Sequence, residues 1–419
     1  MIDLFPDSAQ VDDGRLTLGG VSATALAERF GTPVVVYCED TLRARARAFR
    51  EAIRDGFVAY GTKAFPNVAV LRLLREEGIG ADVASPGELA FAQAAGFTGG
   101  ELVAHGNNKD AAFLAQAAAA GAVVALDAPD EAELAERAGV RRALVRVTLG
   151  VDADTHEAIQ TGHHGSKFGL PPGQAQALVA DAIGRGLDVL GLHVHVGSQL
   201  PDFDAQAETI VRLASFAARC RDELGWSARV ADLGGGFGIR HHHHERVTDA
   251  AKLAAAAVGT ARAAFAEAGL PPPEVWLEPG RSLVGPAGVT LYRVGSVKRL
   301  DGVTWAAVDG GMSDNPRPQL YGARYAALLA NRAAEAATES VSVAGMHCES
   351  GDVLIDDVEL PSPRRDDVLA VPATGAYTLA MASNYNGVPR PAAVLVGGGE
   401  ARLIRRRETV DDLLALEAT

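Results

Sequence analysis

Between residues 57 and 279, short apolar runs that read as strands alternate with alanine-rich runs that read as helices. The strand-like runs are 57–61, 80–84, 102–105, 122–127, 142–147, 188–196, 228–233 and 274–279. Stretches such as AAFLAQAAAAGA and AAKLAAAAVGTARAAFAEAG fill the intervals; their alanine content is a helix preference, not a motif. Eight strand–helix units in about 220 residues fit a parallel (β/α)8 TIM barrel. A doubly wound open sheet is the competing arrangement, and the count of eight favours the barrel.

Outside this rhythm the pattern changes. PVVVYC, residues 33–38, would be a ninth strand and is expected to belong elsewhere. After about residue 285, GVTLYRVGSVKRL, TWAAVDGG, VSVAG and AAVLVGGGEARLIRR read as strands joined by short turns. The chain has 419 residues, more than the ~250–300 that one core usually takes. Two domains are therefore expected. One is a barrel over 36–284; the other is mostly β and made from 1–35 and 285–419.

The net charge is −14 and no block of basic residues interrupts it, which argues against nucleic acid and anionic membranes as partners. No apolar run approaches the ~18 residues of a membrane span. The start, MIDLFPDSAQ, has neither a basic segment nor an apolar core, so no signal peptide is expected. Cys38, Cys220 and Cys348 lie far apart, without zinc-site spacing, which suits a reducing cytosol and a cytoplasmic protein. No metal site is expected.

Barrels of this kind carry their chemistry at the C-terminal strand ends, and here those ends are polar. The first is followed by Lys63 in VAYGTKAFPN, the third by HGNNK, the sixth by HVHVGSQ, the seventh by DLGGGFG and the eighth by EPGR. A lysine at the mouth of a buried strand is costly unless partnered; on position alone, an ordinary surface ion pair explains it. Gly234, Gly235 and Gly236 can bring backbone N–H groups close to an anion, although glycine runs are common turns. In HVHVGSQ, alternation at period two places His193 and His195 on one face, with Ser198 on the loop beyond. EPGR sets Glu278, a turn and Arg281 within four residues. A lysine, an anion cradle, a stacking imidazole and an acid are together the parts that a pyridoxal phosphate site needs.

Longer motifs sharpen this. YGTKAFPN, DVASPGELAFA, HGNNK, VTLGVDADTHEAIQTGHHGSKFG, GLHVHVGSQL, DLGGGFGI, EPGRSLVGPAG, VDGGMSDNPRPQLY, HCESGDVL and PATGAYTLAMASNYNGVPRP occur in that order. With them the chain resembles the diaminopimelate decarboxylases, a family of fold-type III pyridoxal phosphate enzymes, over nearly its whole length. The resemblance implies a carboxy-lyase that converts meso-2,6-diaminopimelate to L-lysine and carbon dioxide, the last step of lysine biosynthesis. It implies an alanine-racemase-like architecture of barrel plus β domain.

The resemblance also implies roles. Lys63 would bond to the cofactor aldehyde and His195 would stack on the ring. Ser198, Gly234, Gly235 and Gly236 would hold the phosphate. Glu278 would face the pyridine nitrogen, with Gly280 and Arg281 in the same turn. Tyr377 would touch phosphate and substrate. Arg281, Arg317 and Tyr321 would bind the distal carboxylate of the substrate and Glu349 its distal ammonium. Cys348 would be the acid that protonates carbon after carbon dioxide leaves; a buried structural thiol is the plainer reading, and the one expected for Cys38 and Cys220. The segment carrying Cys348 would reach the partner's site, which implies a homodimer with shared active sites.

Two departures from the family stand out. RHHHHERVTD replaces an aromatic and acidic loop, and His241 to His244 are expected in a solvated loop. Pro86 replaces a glycine in SPGEL and suits the first turn of a helix. Competing functions are a decarboxylase for another amino acid, a racemase, and a non-catalytic regulator. Arg317, Glu349 and MASNYN speak against the first, HCESGD against the second, and the presence of both Lys63 and Cys348 against the third.

Overall fold

The computed structural model describes residues 2–151 and 166–418. Much of the motif VTLGVDADTHEAIQTGHHGSKFG lies outside the described residues. The rest divides into two compact units: Arg45–Gly238 with Val247–Ser282, and Met1–Ala44 with Ile239–Arg246 and Leu283–Thr419.

In the first unit, eight parallel strands follow one another around a closed barrel. They are Phe57–Gly61, Gly80–Val83, Leu102–Ala104, Val123–Leu126, Arg142–Arg146, Asp188–His193, Val230–Asp232 and Glu274–Leu277. The last pairs with the first, through Trp276 against Phe57. The sixth strand stops at His193, short of the expected 196. Its neighbour ends at Asp232, so the chain beyond loses its ladder partner there.

Helices begin where short polar side chains take up orphan backbone donors. Asn67 accepts from the N–H groups of Ala69 and Val70 to start Val68–Glu76. Ser85 accepts from Glu88 N and Pro86 occupies the first turn of Pro86–Ala95, where its missing N–H costs nothing. Asp110 and Asp249 cap two further helices in the same way. Inside the barrel, Ala59, Val103, Val123, Leu144, Val230 and Trp276 pack as one cluster. Trp276 meets Phe57 edge-on, with ring centroids 5.0 Å apart. This apolar plug leaves the C-terminal rim as the place for polar groups.

The second unit is mostly β. Its main sheet runs Val353–Leu360, Glu339–Ala344, Val303–Val308, Gly288–Leu300, Val34–Cys38, Ala392–Gly397 and Glu400–Arg405. The run at 33–38 is thus a strand of this sheet. It pairs with a neighbour on each edge, and all five residues of Val34–Cys38 are buried, Val34, Val36 and Cys38 in a core with Leu16, Leu18 and Leu26, so it reads as unbroken apolar sequence. Val368–Pro372 also joins Gly288–Leu300 and pairs with Leu328–Leu329. Among the described residues no helix is long and apolar enough to cross a membrane.

Candidate active site

Each of the eight barrel strands delivers a polar residue at or just past its C-terminal end: Lys63, Asp82, His105, Asp127, Arg146, His193, Asp232 and Glu278. All but Lys63 are buried. So many buried ionisable groups persist only because they satisfy one another. Lys63 Nζ donates to Asp82 Oδ2 at 2.8 Å. Lys63 remains half-exposed at its side chain while Asp82 is buried, so the lysine head faces outward from a buried anion.

Glu278 lies at the centre of the rim. Its Oε1 is 2.5 Å from His105 Nε2 and its Oε2 is 3.3 Å from His193 Nε2. Burial alone would raise its proton affinity, but the two imidazoles outweigh burial and hold it well below the usual carboxylate range. Glu278 is therefore an anion. Asp232 goes the other way: burial first, then the charge of Glu278, push it well above the usual range. His193 is lowered to about 4 by burial, with Glu278 opposing. It is neutral, and its Nε2–H donates a hydrogen bond to Glu278 Oε2. His195 is also lowered well below its ordinary value, by burial first and then by the charges of Arg146 and Lys63. Its Nδ1 accepts from Gly235 N at 3.1 Å, which leaves the proton of the neutral ring on Nε2.

That contact belongs to the glycine turn. A Cβ on Gly235 would stand 2.3 Å from the carbonyl oxygen of Glu278. On Gly236, at φ +96°, it would stand 2.5 Å from Gly197 O. Only glycine lets this turn lie against both the sixth and the eighth strand ends. Gly234 is packed in the same way against His195. Arg281 is buried and its Nη2 donates to Ser198 Oγ at 3.1 Å, beside the turn. Gly61 N donates to Pro279 O at 3.2 Å and Gly61 lies against Gly280, so the Lys63 and EPGR turns are packed together. The rim thus brings together Lys63, His195, Ser198, Gly234, Gly235, Gly236, Glu278, Gly280 and Arg281.

The other expected site residues belong to the second unit. Arg317 and Tyr321 open and close the short helix Arg317–Tyr321. Arg317 is buried and Tyr321 half-buried. Cys348 and Glu349 are exposed, next to His347, whose ring is held by Asn386 and Ser313. Glu349 Oε2 accepts from Tyr385 OH at 3.4 Å. Cys38 and Cys220 are buried thiols. Tyr377 is half-buried with φ +59°, a left-handed conformation that a tyrosine rarely adopts.

Sequence reasoning passed over Asp82, His105 and Asp232 as site residues. Each stands in a motif at a strand end, next to residues that were singled out. The available signal was an ionisable side chain at the end of a strand of only three or four residues. His241 also differs from expectation. It is buried, not solvated, and bonded to Arg317, whereas His243 and His244 are exposed.

Residues 39–285 match the family model described as pyridoxal-dependent decarboxylase, pyridoxal binding domain. The diaminopimelate decarboxylase of Bacillus subtilis is 43% identical, covering 99% of this chain and 98% of its own. That of Actinosynnema pretiosum is 46% identical, covering 99% and 95%. The chain belongs to the diaminopimelate decarboxylase family of pyridoxal-dependent decarboxylases. The crystal structure of diaminopimelate decarboxylase from M. jannaschii superposes with a TM-score of 0.92 at 33% identity, covering 99% of this chain and 98% of that one. A Helicobacter pylori diaminopimelate decarboxylase complexed with L-lysine superposes with a TM-score of 0.86 at 29% identity, covering 94% and 98%.

The family's cofactor is pyridoxal phosphate, and the rim fits it. A lysine head, a glycine turn that no Cβ could enter, a neutral imidazole and a buried ionised carboxylate match in turn an aldehyde, a phosphate, a ring face and a protonated pyridine nitrogen.

Proposed function

We propose that this protein decarboxylates meso-2,6-diaminopimelate to L-lysine and carbon dioxide, as the last step of lysine biosynthesis. The observation that carries this reading is the 43% identity to a diaminopimelate decarboxylase across nearly the whole of both chains. When bound, pyridoxal phosphate supplies a protonated ring that takes up the electron pair left on carbon as carbon dioxide departs.

The chain's own residues divide the remaining work. Lys63 holds the cofactor at its aldehyde, and Asp82, 2.8 Å from Nζ, orients the lysine head. Ser198 and Gly236 hold the phosphate, together with Tyr377, while Gly234 and Gly235 beside them give their N–H groups to Asp232 and His195. His195 covers one ring face as a neutral group, so it adds no positive charge that would compete with Glu278. Glu278 keeps a proton on the ring nitrogen because His105 and His193 already hold it as a carboxylate.

Meso-diaminopimelate keeps one carboxylate through the reaction. Arg317, Arg281 and Tyr321 bind that distal carboxylate, and Glu349 the ammonium beside it. Ornithine or lysine, with a single carboxylate to lose, would leave such arginines without a partner. Cys348 delivers a proton to the carbon that has lost carbon dioxide. Cys348 and Glu349 are exposed in the single chain, which supports a homodimer in which this segment completes the site of the other copy. The dispersed free thiols suit a cytoplasmic enzyme.

The test is product analysis. With pyridoxal phosphate and meso-diaminopimelate, the protein should release carbon dioxide and L-lysine in equal amounts. With L-lysine or L-ornithine as substrate, kcat/KM should be lower by at least about a hundredfold. Equal turnover of ornithine, or racemisation without carbon dioxide, would replace this reading.

A further inference from the structure

Arg317 is buried, and among the described residues no carboxylate pairs with it. Its contacts are neutral acceptors. Nη1 donates to His241 Nε2 at 3.0 Å and to Tyr325 OH at 2.6 Å. Nε is buried and finds no hydrogen-bond partner among the described residues. A buried guanidinium held only by neutral groups keeps its whole charge for something else. Nη2 makes no hydrogen bond among the described residues and is the donor left for a carboxylate.

His241 is arranged to present its acceptor. A guanidinium can only donate, so His241 Nε2 accepts and the ring proton sits on Nδ1. Nδ1 is 3.1 Å from Glu245 Oε2, and the same oxygen accepts from His241 N at 2.6 Å. Burial would raise the Glu245 pKa, but the hydrogen bonds from the His241 ring and backbone N–H lower it, so an anion braces the ring at neutral pH. The carbonyl of His241 accepts from Ala326 N at 3.1 Å, and its ring meets Tyr325 edge-on at 5.5 Å. The imidazole is thus fixed at its backbone, its Nδ1 and its face.

We propose that His241, braced by Glu245, is a positioning residue that holds Nη1 of Arg317 so that Nη2 reads the distal carboxylate of the substrate. This rests on the role given to Arg317 above. It assigns a task to the first residue of the four-histidine run. It also explains why the group against Arg317 is an imidazole: a carboxylate there would neutralise the charge the substrate needs.

The experiment compares holoenzyme variants by steady-state kinetics and by equilibrium binding of L-lysine, whose carboxylate is the one that stays. Cadaverine, which has no carboxylate, serves as the control ligand. His241→Leu should raise KM for meso-diaminopimelate about tenfold or more and weaken L-lysine by a similar factor. It should leave cadaverine binding, the visible absorption of the cofactor and kcat within about twofold. His241→Gln, whose amide oxygen can accept from Nη1, should return KM to within about threefold of wild type. In an Arg317→Ala background, His241→Leu should add nothing further. If His241→Leu does not fold, His241→Asn, too short to reach Nη1, takes its place. Should Arg317→Ala weaken L-lysine while His241→Leu does not, the positioning role is wrong and the substrate reading stands. Should Arg317→Ala leave KM and L-lysine binding unchanged, the role of Arg317 itself is wrong. Equal damage by His241→Leu and His241→Gln, with a lowered melting temperature, would make His241 structural.

Discussion

Glu278 is ionised because of two neighbours, not because of exposure. Burial opposes its charge, and His105 at 2.5 Å and His193 at 3.3 Å overcome that opposition. Glu278→Gln removes the anion and keeps the shape. It should retain bound cofactor by absorbance yet lose at least about a hundredfold in kcat, since the charge opposite the ring nitrogen is gone. Full activity in that variant would reject the role. His193 makes a separate prediction about pH. Its pKa falls from 6.5 when unfolded to about 4 when folded. As pH falls through 6.5 toward 4, the unfolded chain gains a proton here that the folded chain does not, so stability drops across that window. His193→Gln should flatten the melting temperature against pH between those values; an unchanged slope would mean that other groups carry it. Lys63, His195 and Glu278 were legible in the sequence because they sit at strand ends within distinctive motifs. Asp82, His105 and Asp232 were not, because strands of three or four buried residues show no alternation from which to read an inward face.

At the scale of elements, the strand–helix count was legible because each strand is a short apolar run bounded by capping residues. The sixth boundary is not legible locally, since the end of a strand depends on where its neighbour ends. The loop at 240–249 was misjudged for a related reason. A run of histidines looks solvated until the fold sets Arg317 and Tyr325 against its first member. The glycine turn carries the clearest test here. In Gly235→Ala the new methyl would stand 2.3 Å from Glu278 O and 3.1 Å from its carbonyl carbon. Neither atom is the end of a flexible side chain, so backbone must move, at a cost of about 1–3 kcal/mol. The variant should melt lower and need at least about tenfold more pyridoxal phosphate for half-saturation. Unchanged titration would separate the turn from the cofactor.

For the whole molecule, the sequence distinguished a barrel from a β-rich remainder because helical periodicity fails after residue 285. Where Cys348 works was not legible from local pattern: it stands in the β-rich unit, while Lys63 stands in the barrel unit. We propose that they meet in one site built from two copies of the chain. Every active site of the decarboxylase would then take Lys63 from one subunit and Cys348 from the other. Lys63→Ala and Cys348→Ala should each be nearly inactive in forming L-lysine from meso-diaminopimelate. Mixed in equal amounts under conditions that exchange subunits, half the dimers become mixed, and each mixed dimer has one intact site and one doubly damaged one. The mixture should regain about a quarter of wild-type activity. No recovery after demonstrated exchange, or full activity of either variant alone, would contradict the account.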